Sequence, residues 1–286
     1  MTGTDATINF PAMTSLPEVH FADADGPTLA VYRKLMTAAG SGSPALIFRH
    51  MATYPGLLDW FWRAVGPEVE AGWPCRAVWD IVARQPVVPL PAFTSEGLTQ
   101  SGVDAAARAT IGHMLTSYNR MNPMNLVATG AARAMLTGDL PEAGAFDETP
   151  SAPPAPPPDL PRPLPIASLA PALHTSVRAL CRTIPDIGVD VTPTMYLHFA
   201  HWPKFVALVA ERLDPAMDRI DAATHALHDA CRPLIGALLE KAQARNSGPP
   251  PMADPAPLVK VLDGFAYVIP HMVVVGTALE TALADA

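Results

Sequence analysis

Two short segments of the chain follow the same pattern, and this repetition constrains the fold more than any other feature. Residues 43–55 read SPALIFRHMATYP, and residues 192–203 read TPTMYLHFAHWP. Each begins with a hydroxyl residue and proline, continues as an apolar helix, and ends at an aromatic residue followed by proline. Aligning the closing prolines places His198 over His50. We interpret the two segments as the central helices of two copies of one unit.

A second pair of landmarks has nearly the same spacing. Pro55 and Pro203 are 148 residues apart, while Pro123 in NPMNLV and Pro270 in IPHMVV are 147 apart. Few stretches show the alternation that is typical of strands. We therefore predict an all-α fold of two tandem helical repeats packed as a pseudo-dimer, with a site in the cleft between them.

Proline content places the boundary between the repeats. Ten of the 33 prolines lie between positions 141 and 165, in a segment that cannot continue a helix and favours an extended conformation. We predict a first repeat with an N-terminal arm over 1–138, a proline-rich linker over 139–165, and a second repeat over 166–286.

Composition excludes several classes of protein. Of 286 residues, 49 % are hydrophobic and 16 % are charged, which indicates a substantial core. The net charge of −8 and the lack of a basic run argue against a nucleic-acid partner. The most apolar stretch, 265–284, contains a proline, a histidine and a glutamate, so we expect buried helices and not a membrane span. Three cysteines without metal spacing and no secretory signal predict a cytoplasmic location.

The positions of proline and glycine residues, which interrupt helices, predict the helix boundaries. We expect a first central helix over 45–53, a loop over 85–102, and separate helices over 103–119 and 123–136. Asn122 stands just before Pro123, where it is suited to cap the second of these helices. We expect Pro270 to divide the last segment into a pair of helices.

Polar residues on the apolar helices are the candidates for chemistry, because the familiar serine-hydrolase, nucleotide-binding and zinc-protease motifs are absent. His198 and His201 share one helix face, and His50 matches His198 in the other repeat. Each histidine is also interpretable as a core residue bonded to a carbonyl, or as a partly exposed residue without a role in chemistry. Arg49 either extends to solvent or binds a carboxylate, and Asn122 serves as a cap or as a site residue.

Three segments together resemble the group I 2-haloacid dehalogenases. They are SPALIFRHMATYPGLL, YNRMNPMNLV and TPTMYLHFAHWPKFV, and the resemblance extends over about 32–284. It implies an all-α chain of two fused repeats that often dimerises and hydrolyses 2-haloalkanoic acids of either chirality. In that family an aspartate activates a water, which attacks the halogen-bearing carbon directly and forms no ester intermediate.

The resemblance assigns roles to individual positions. The family's water-holding asparagine corresponds to Asn122, an aromatic wall residue to Phe48, and a serine beside the aspartate to Thr194. A second wall aromatic corresponds to Ala45, and a pocket tyrosine to Phe265. These matches imply a pocket that is more apolar than that of the family.

The family's catalytic aspartate corresponds to Met195, which cannot accept a proton. Asp190 is the nearest upstream carboxylate, but it would need a displaced backbone to act. His198 lies one turn beyond Met195 on the same face, and an imidazole has a suitable pKa for a base. The sequence therefore favours His198 as the replacement.

We hold three functional hypotheses. The first is a hydrolase of a small organic acid or related electrophile, with water held by Asn122 and Thr194 and activated by His198 or His50. The second is a non-catalytic protein that binds or senses a small molecule, and the third, the weakest, is a histidine-lined metal site. No cofactor and no membrane partner are expected, and a homodimer is left open. The expected substrate-binding residues are Phe48, Arg49, His50, Met195 and Phe265.

Overall fold

The computed structural model describes residues 16–155, 158–181, 191–245 and 248–284, and it contains helices and loops with no strand in these ranges. The all-α prediction is confirmed. The helices are α1 (Gly26–Ala39), α2 (Leu46–Met51), α3 (Leu57–Ala71), α4 (Trp73–Arg84), α5 (Ser95–Gln100), α6 (Ala105–Thr137), α7 (Pro171–Leu180), α8 (Thr194–Phe199), α9 (Pro203–Leu213), α10 (Met217–Ala244) and α11 (Ala256–Ala284).

Two long helices form the centre of the molecule. The 33-residue α6 and the 29-residue α11 share the largest helix interface of the described chain, and α10 packs against both. Helices α1, α3 and α4 pack beside this centre, and α7, α8 and α9 associate with one another. A single apolar core runs through all of these helices. The division into two tandem repeats and the boundaries at 138 and 165 remain predictions.

Both prolines that were expected to end helices lie inside them. Pro123 is within α6 and Pro270 is within α11, so the predicted breaks at these positions are wrong. An interior proline costs about 3 kcal/mol in a helix. Here both helices are buried on most sides, and their tertiary packing outweighs that cost. Asn122 is consequently a mid-helix residue and does not cap a helix. The predicted loop over 85–102 also contains the short helix α5, capped by Thr94.

The described parts of the proline-rich segment are docked against helices at three points. The Gly144 amide donates to the Pro233 carbonyl on α10 at 2.9 Å, and the Ser151 amide donates to the Ala71 carbonyl at 2.9 Å. Further on, the Leu164 amide donates to the carbonyl of Leu197 on α8 at 3.2 Å. The segment therefore contacts helices that belong to both predicted repeats.

Gly236 on α10 is expected to be essential for this docking. A β-carbon at Gly236 would lie 2.5 Å from the Glu142 carbonyl oxygen and 2.6 Å from that of Pro141, and neither backbone oxygen can move independently. We expect Gly236→Ala to reduce the free energy of unfolding by about 2 kcal/mol, as other overpacking changes do. In Gly112→Ala the added β-carbon meets nothing within 4 Å, so helix propensity predicts a gain of up to about 1 kcal/mol. Urea unfolding of both variants measures the difference, and equal stabilities would contradict the docked arrangement.

Among the described residues, one helix, α11, is long and apolar enough to cross a membrane. In the structure, however, 67 % of its most apolar stretch is buried inside the fold, mainly against α6 and α10. This is the environment of a core helix, as the proline, histidine and glutamate in its sequence predict.

Candidate active site at the meeting point of four helices

A cavity of about 70 Å³ lies where α2, α6, α8 and α11 meet, and we call it the seam pocket. Helix α6 contributes Tyr118, Met121, Asn122 and Asn125. Helix α11 contributes Phe265, Val268, Ile269 and Met272. The remaining lining residues lie at the starts of the short helices, over 45–47 and 191–195. The pocket is thus built from all three segments that carry the family resemblance, together with α11.

The two short helices direct their N-terminal ends to the pocket. Helix α2 begins after Ala45 and α8 begins after Pro193, and neither start has a side-chain cap. The first amides of a helix have no partner within the helix, and they carry the positive end of its dipole. No Asp, Glu, His, Lys or Arg side chain lines the described pocket. Its polarity comes from backbone amides and from neutral side chains.

Four of the residues singled out from the sequence line the seam pocket, namely Asn122, Thr194, Met195 and Phe265. All except Thr194 are buried, and Met195 is only 1 % exposed. Ala45, at the position of the second family wall aromatic, lines it as well. The structure brings together the water-holding candidates and the residue at the family's aspartate position.

The other residues from α2 lie apart from the seam pocket. Phe48 is buried against Phe61, with ring centroids 6.4 Å apart. Arg49 forms an ion pair with Glu18, with 2.9 Å between Nε and Oε2. His50 is buried and hydrogen-bonded through Nδ1 to the Pro17 carbonyl at 2.8 Å. Of the interpretations left open, these contacts favour a carboxylate partner for Arg49 and a core role for His50.

His198 is connected to the seam pocket through a tyrosine. The Tyr118 hydroxyl, on a residue that lines the pocket, lies 2.7 Å from Nδ1 of His198. The Pro161 main-chain carbonyl also interacts with His198 and acts to raise its pKa. In the tautomer that carries its proton on Nε2, His198 accepts a hydrogen bond from the Tyr118 hydroxyl at Nδ1. His198 is therefore oriented by its neighbours to receive a proton at Nδ1.

Burial sets the protonation states of this pair. Loss of hydration lowers the pKa of His198 to about 4, with a smaller lowering by nearby His201 and an opposing effect of the Pro161 carbonyl. Burial likewise raises the pKa of Tyr118 well above its ordinary value, and the positive charge of Arg49 opposes this. Both groups are neutral near pH 7, with the imidazole unprotonated at Nδ1.

Sequence reasoning missed Tyr118 and Asn125. Tyr118 is one turn before Asn122 on α6, and Asn125 is nearly one turn after it, so helical spacing from Asn122 would have found both. Neither was assigned a role by the family resemblance as we applied it.

A metal site receives no support from the geometry. No group of three or more His, Cys, Asp and Glu side chains within the described ranges is arranged to hold a metal ion. His201 is bonded through Nε2 to the Arg162 carbonyl at 2.8 Å. Asp190, the alternative base considered from the sequence, lies outside the described residues.

Comparisons with known proteins were made for the whole chain. No protein-family model matches it, and no curated protein matches it in sequence. Solved structures do match. A D-2-haloacid dehalogenase mutant in complex with D-2-CPA superposes with a TM-score of 0.74 at 16 % identity, covering 96 % of this chain and 99 % of that one.

Two further structures give the same result. A D-2-haloacid dehalogenase mutant has a TM-score of 0.74 and covers 94 % of this chain and 96 % of its own. A complex of a D-2-haloacid dehalogenase with L-LA has a TM-score of 0.73 and covers 94 % and 97 %, and both are 16 % identical to this chain. Two parts of the family resemblance remain predictions for this chain. They are membership of group I and hydrolysis of 2-haloalkanoic acids of either chirality. The chain has the fold of the D-2-haloacid dehalogenases over nearly its whole length.

Proposed function

We propose that the protein is a hydrolase that replaces the halogen of a small 2-haloalkanoic acid, or a related leaving group, by direct attack of water in the seam pocket. Asn122 and Thr194 hold the water, and His198 accepts its proton through Tyr118. The observation that carries this proposal is the 2.7 Å contact that connects a pocket-lining hydroxyl to a buried imidazole.

Recognition of the carboxylate would use the helix starts. The beginnings of α2 and α8 have no side-chain cap and carry the positive ends of the helix dipoles, which suits an anion, and no acidic side chain among the described lining residues would repel it. Phe265, Met195 and the aliphatic residues of α11 would contact the apolar part of the substrate. The arrangement suits a small molecule with one charged end and one apolar end.

Proton acceptance by His198 is chemically adequate for the role that an aspartate has in the family. The pKa of His198, about 4, is close to the value of about 3.9 for a free aspartate, so the two groups have similar basicity. As the water oxygen forms a bond to the substrate carbon, its proton passes to the Tyr118 oxygen while the Tyr118 proton passes to Nδ1. The carbon–halogen bond breaks with its electron pair, giving a halide ion and a 2-hydroxy acid. The imidazolium then releases its proton to solvent.

Halide release tests the proposal directly. We expect the purified protein to liberate chloride from at least one enantiomer of 2-chloropropionate, with the 2-hydroxy acid formed in equal amount. Oxygen-18 from labelled water should enter the product in a single turnover with excess enzyme, because attack by water forms no ester with the chain. Incorporation of unlabelled oxygen in that experiment, or no halide from a panel of chloro, bromo and iodo acids, would contradict the proposal.

Binding without turnover is the second candidate, and the presence of Met195 favours it. This side chain occupies the family's aspartate position, is 1 % exposed, and offers no proton acceptor to the pocket. A protein of this kind would show a rise in melting temperature with 2-haloacids but no halide or hydroxy acid. Measuring both quantities on the same samples distinguishes the two candidates.

A further inference from the structure

A second cavity lies between the N-terminal helices α1, α3 and α4 and the proline-rich segment, away from the seam pocket. Its volume is about 230 Å³, and it is bounded by α1, the end of α3, the beginning of α4, and residues 151–153. It shares no lining residue with the seam pocket. We call it the linker pocket, because the docked linker forms one wall.

The linker pocket has a positive rim in an acidic protein. Lys34 Nζ lies 2.9 Å from Oε1 of Glu70, and the same carboxylate oxygen accepts a hydrogen bond from Trp62 at 3.2 Å. Arg33, the neighbour of Lys34 on α1, forms no ion pair within the described residues. The rim thus carries two cations and one anion, although the chain as a whole has a net charge of −8. One guanidinium is available to a ligand.

The interior of the linker pocket is mostly apolar. Ala38, Val69, Cys75 and Trp79 line it, and burial raises the pKa of the Cys75 thiol to about 12, so that sulfur is neutral and unreactive. The Ser151 hydroxyl already donates its proton to the Gly72 carbonyl at 3.0 Å. The interior therefore offers little to a polar ligand, and binding there would come from apolar contact.

We propose that the linker pocket binds a monocarboxylic acid with an unsubstituted apolar body, its carboxylate on Arg33 and its hydrocarbon portion against Val69 and Trp79. A guanidinium recognises a carboxylate with two parallel hydrogen bonds, which suits the single available cation. A phosphate or dicarboxylate would place a second negative charge beside Glu70. A neutral alcohol of the same length would leave Arg33 without a new partner.

Calorimetric titration of the full-length protein with octanoate tests the assignment. We expect saturable binding, weakened at least about tenfold in Arg33→Gln, because the variant loses the charge-assisted hydrogen bonds from the guanidinium. Arg84→Gln is the matched control, because Arg84 is an exposed arginine on α4 outside the pocket, and it should bind octanoate like the wild type. We expect 1-octanol to bind at least tenfold more weakly than octanoate.

Three results would overturn the proposal: no saturable binding of octanoate, equal affinity of the Arg33→Gln and wild-type proteins, or equal affinity for octanol and octanoate. Octanoate bound only in the seam pocket would give the second of these results, since Arg33 does not line that pocket. The proposal does not depend on the hydrolytic activity. Loss of turnover in the seam pocket and loss of octanoate binding are therefore separate outcomes.

Discussion

Replacing His198 by glutamine is expected to lower the turnover of 2-haloacids by a factor of 10²–10⁴ while leaving the fold intact. Glutamine can keep the hydrogen bonds to Tyr118 and Pro161, but it cannot take up a proton. Because the pKa of His198 is about 4, the wild-type rate should stay constant from pH 7 down to about pH 5 and fall by half near pH 4. Initial rates of halide release between pH 3.5 and 8, with circular dichroism to confirm folding, measure both effects.

Matched variants separate proton transfer from packing. Tyr118→Phe removes only the hydroxyl that connects His198 to the seam pocket, and it should reduce turnover to a similar extent. Combining the two changes should cost little more than either alone, because the two residues act as one unit. His113→Gln is the control, since His113 is an exposed histidine on α6 that lies outside the pocket. Full activity of Tyr118→Phe would exclude the relay, even if His198→Gln were inactive.

Acidification from pH 7 to pH 4 is expected to reduce the free energy of unfolding by about 6 kcal/mol. Each of two buried histidines contributes about 3 kcal/mol to this loss, because the unfolded chain binds its proton more readily. Burial lowers the pKa of both His198 and His271 to about 4, from 6.5 for the free side chain. Below pH 6.5 the unfolded chain therefore binds protons that the folded chain does not. The stabilisation is complete above pH 6.5 and is lost as the pH falls towards 4.

His271 allows this expectation to be tested without disturbing the seam pocket. Its side chain is fully buried on α11, and neither ring nitrogen has a hydrogen-bond partner in the described chain. His271→Leu should remove about half of the loss in stability between pH 7 and pH 4, as measured by urea unfolding at each pH. Leu279→Met, a change at a buried residue of α11 outside the seam pocket, should shift stability equally at every pH. An unchanged pH dependence in His271→Leu would show that His271 does not contribute.

Much of the fold could be predicted from the sequence because hydrophobic spacing and proline positions record local structure. Helix α8 begins directly after Pro193, α9 begins at Pro203, and α2 begins two residues after Pro44. The same reasoning failed at Pro123 and Pro270. There the burial of long apolar helices outweighs a local preference, and burial is a tertiary property that no local pattern reports.

The candidate site could be predicted only in part. Asn122, Thr194 and Met195 were found because the family resemblance assigns them neighbouring roles, and all three line the seam pocket. The contact between Tyr118 and His198 joins residues 80 positions apart, and only the folded chain brings them together. His50 was expected to match His198, but local similarity of α2 and α8 does not make their environments equal. His50 is bonded to the Pro17 carbonyl, whereas His198 contacts Tyr118 and the Pro161 carbonyl.

The interior prolines of α6 and α11, Pro123 and Pro270, have a consequence for how a molecule reaches the seam pocket. Each lacks the amide that would bond to the carbonyl four residues earlier, so the backbone ladders of α6 and α11 are interrupted at one point each. The pocket-lining residues of α6 lie on both sides of Pro123, and those of α11 lie on both sides of Pro270. The seam pocket, at about 70 Å³, has to widen to admit a ligand. Helices α6 and α11 bend at Pro123 and Pro270 with the least loss of backbone hydrogen bonds. We therefore expect ligand entry and exit to involve bending of α6 at Pro123 and of α11 at Pro270.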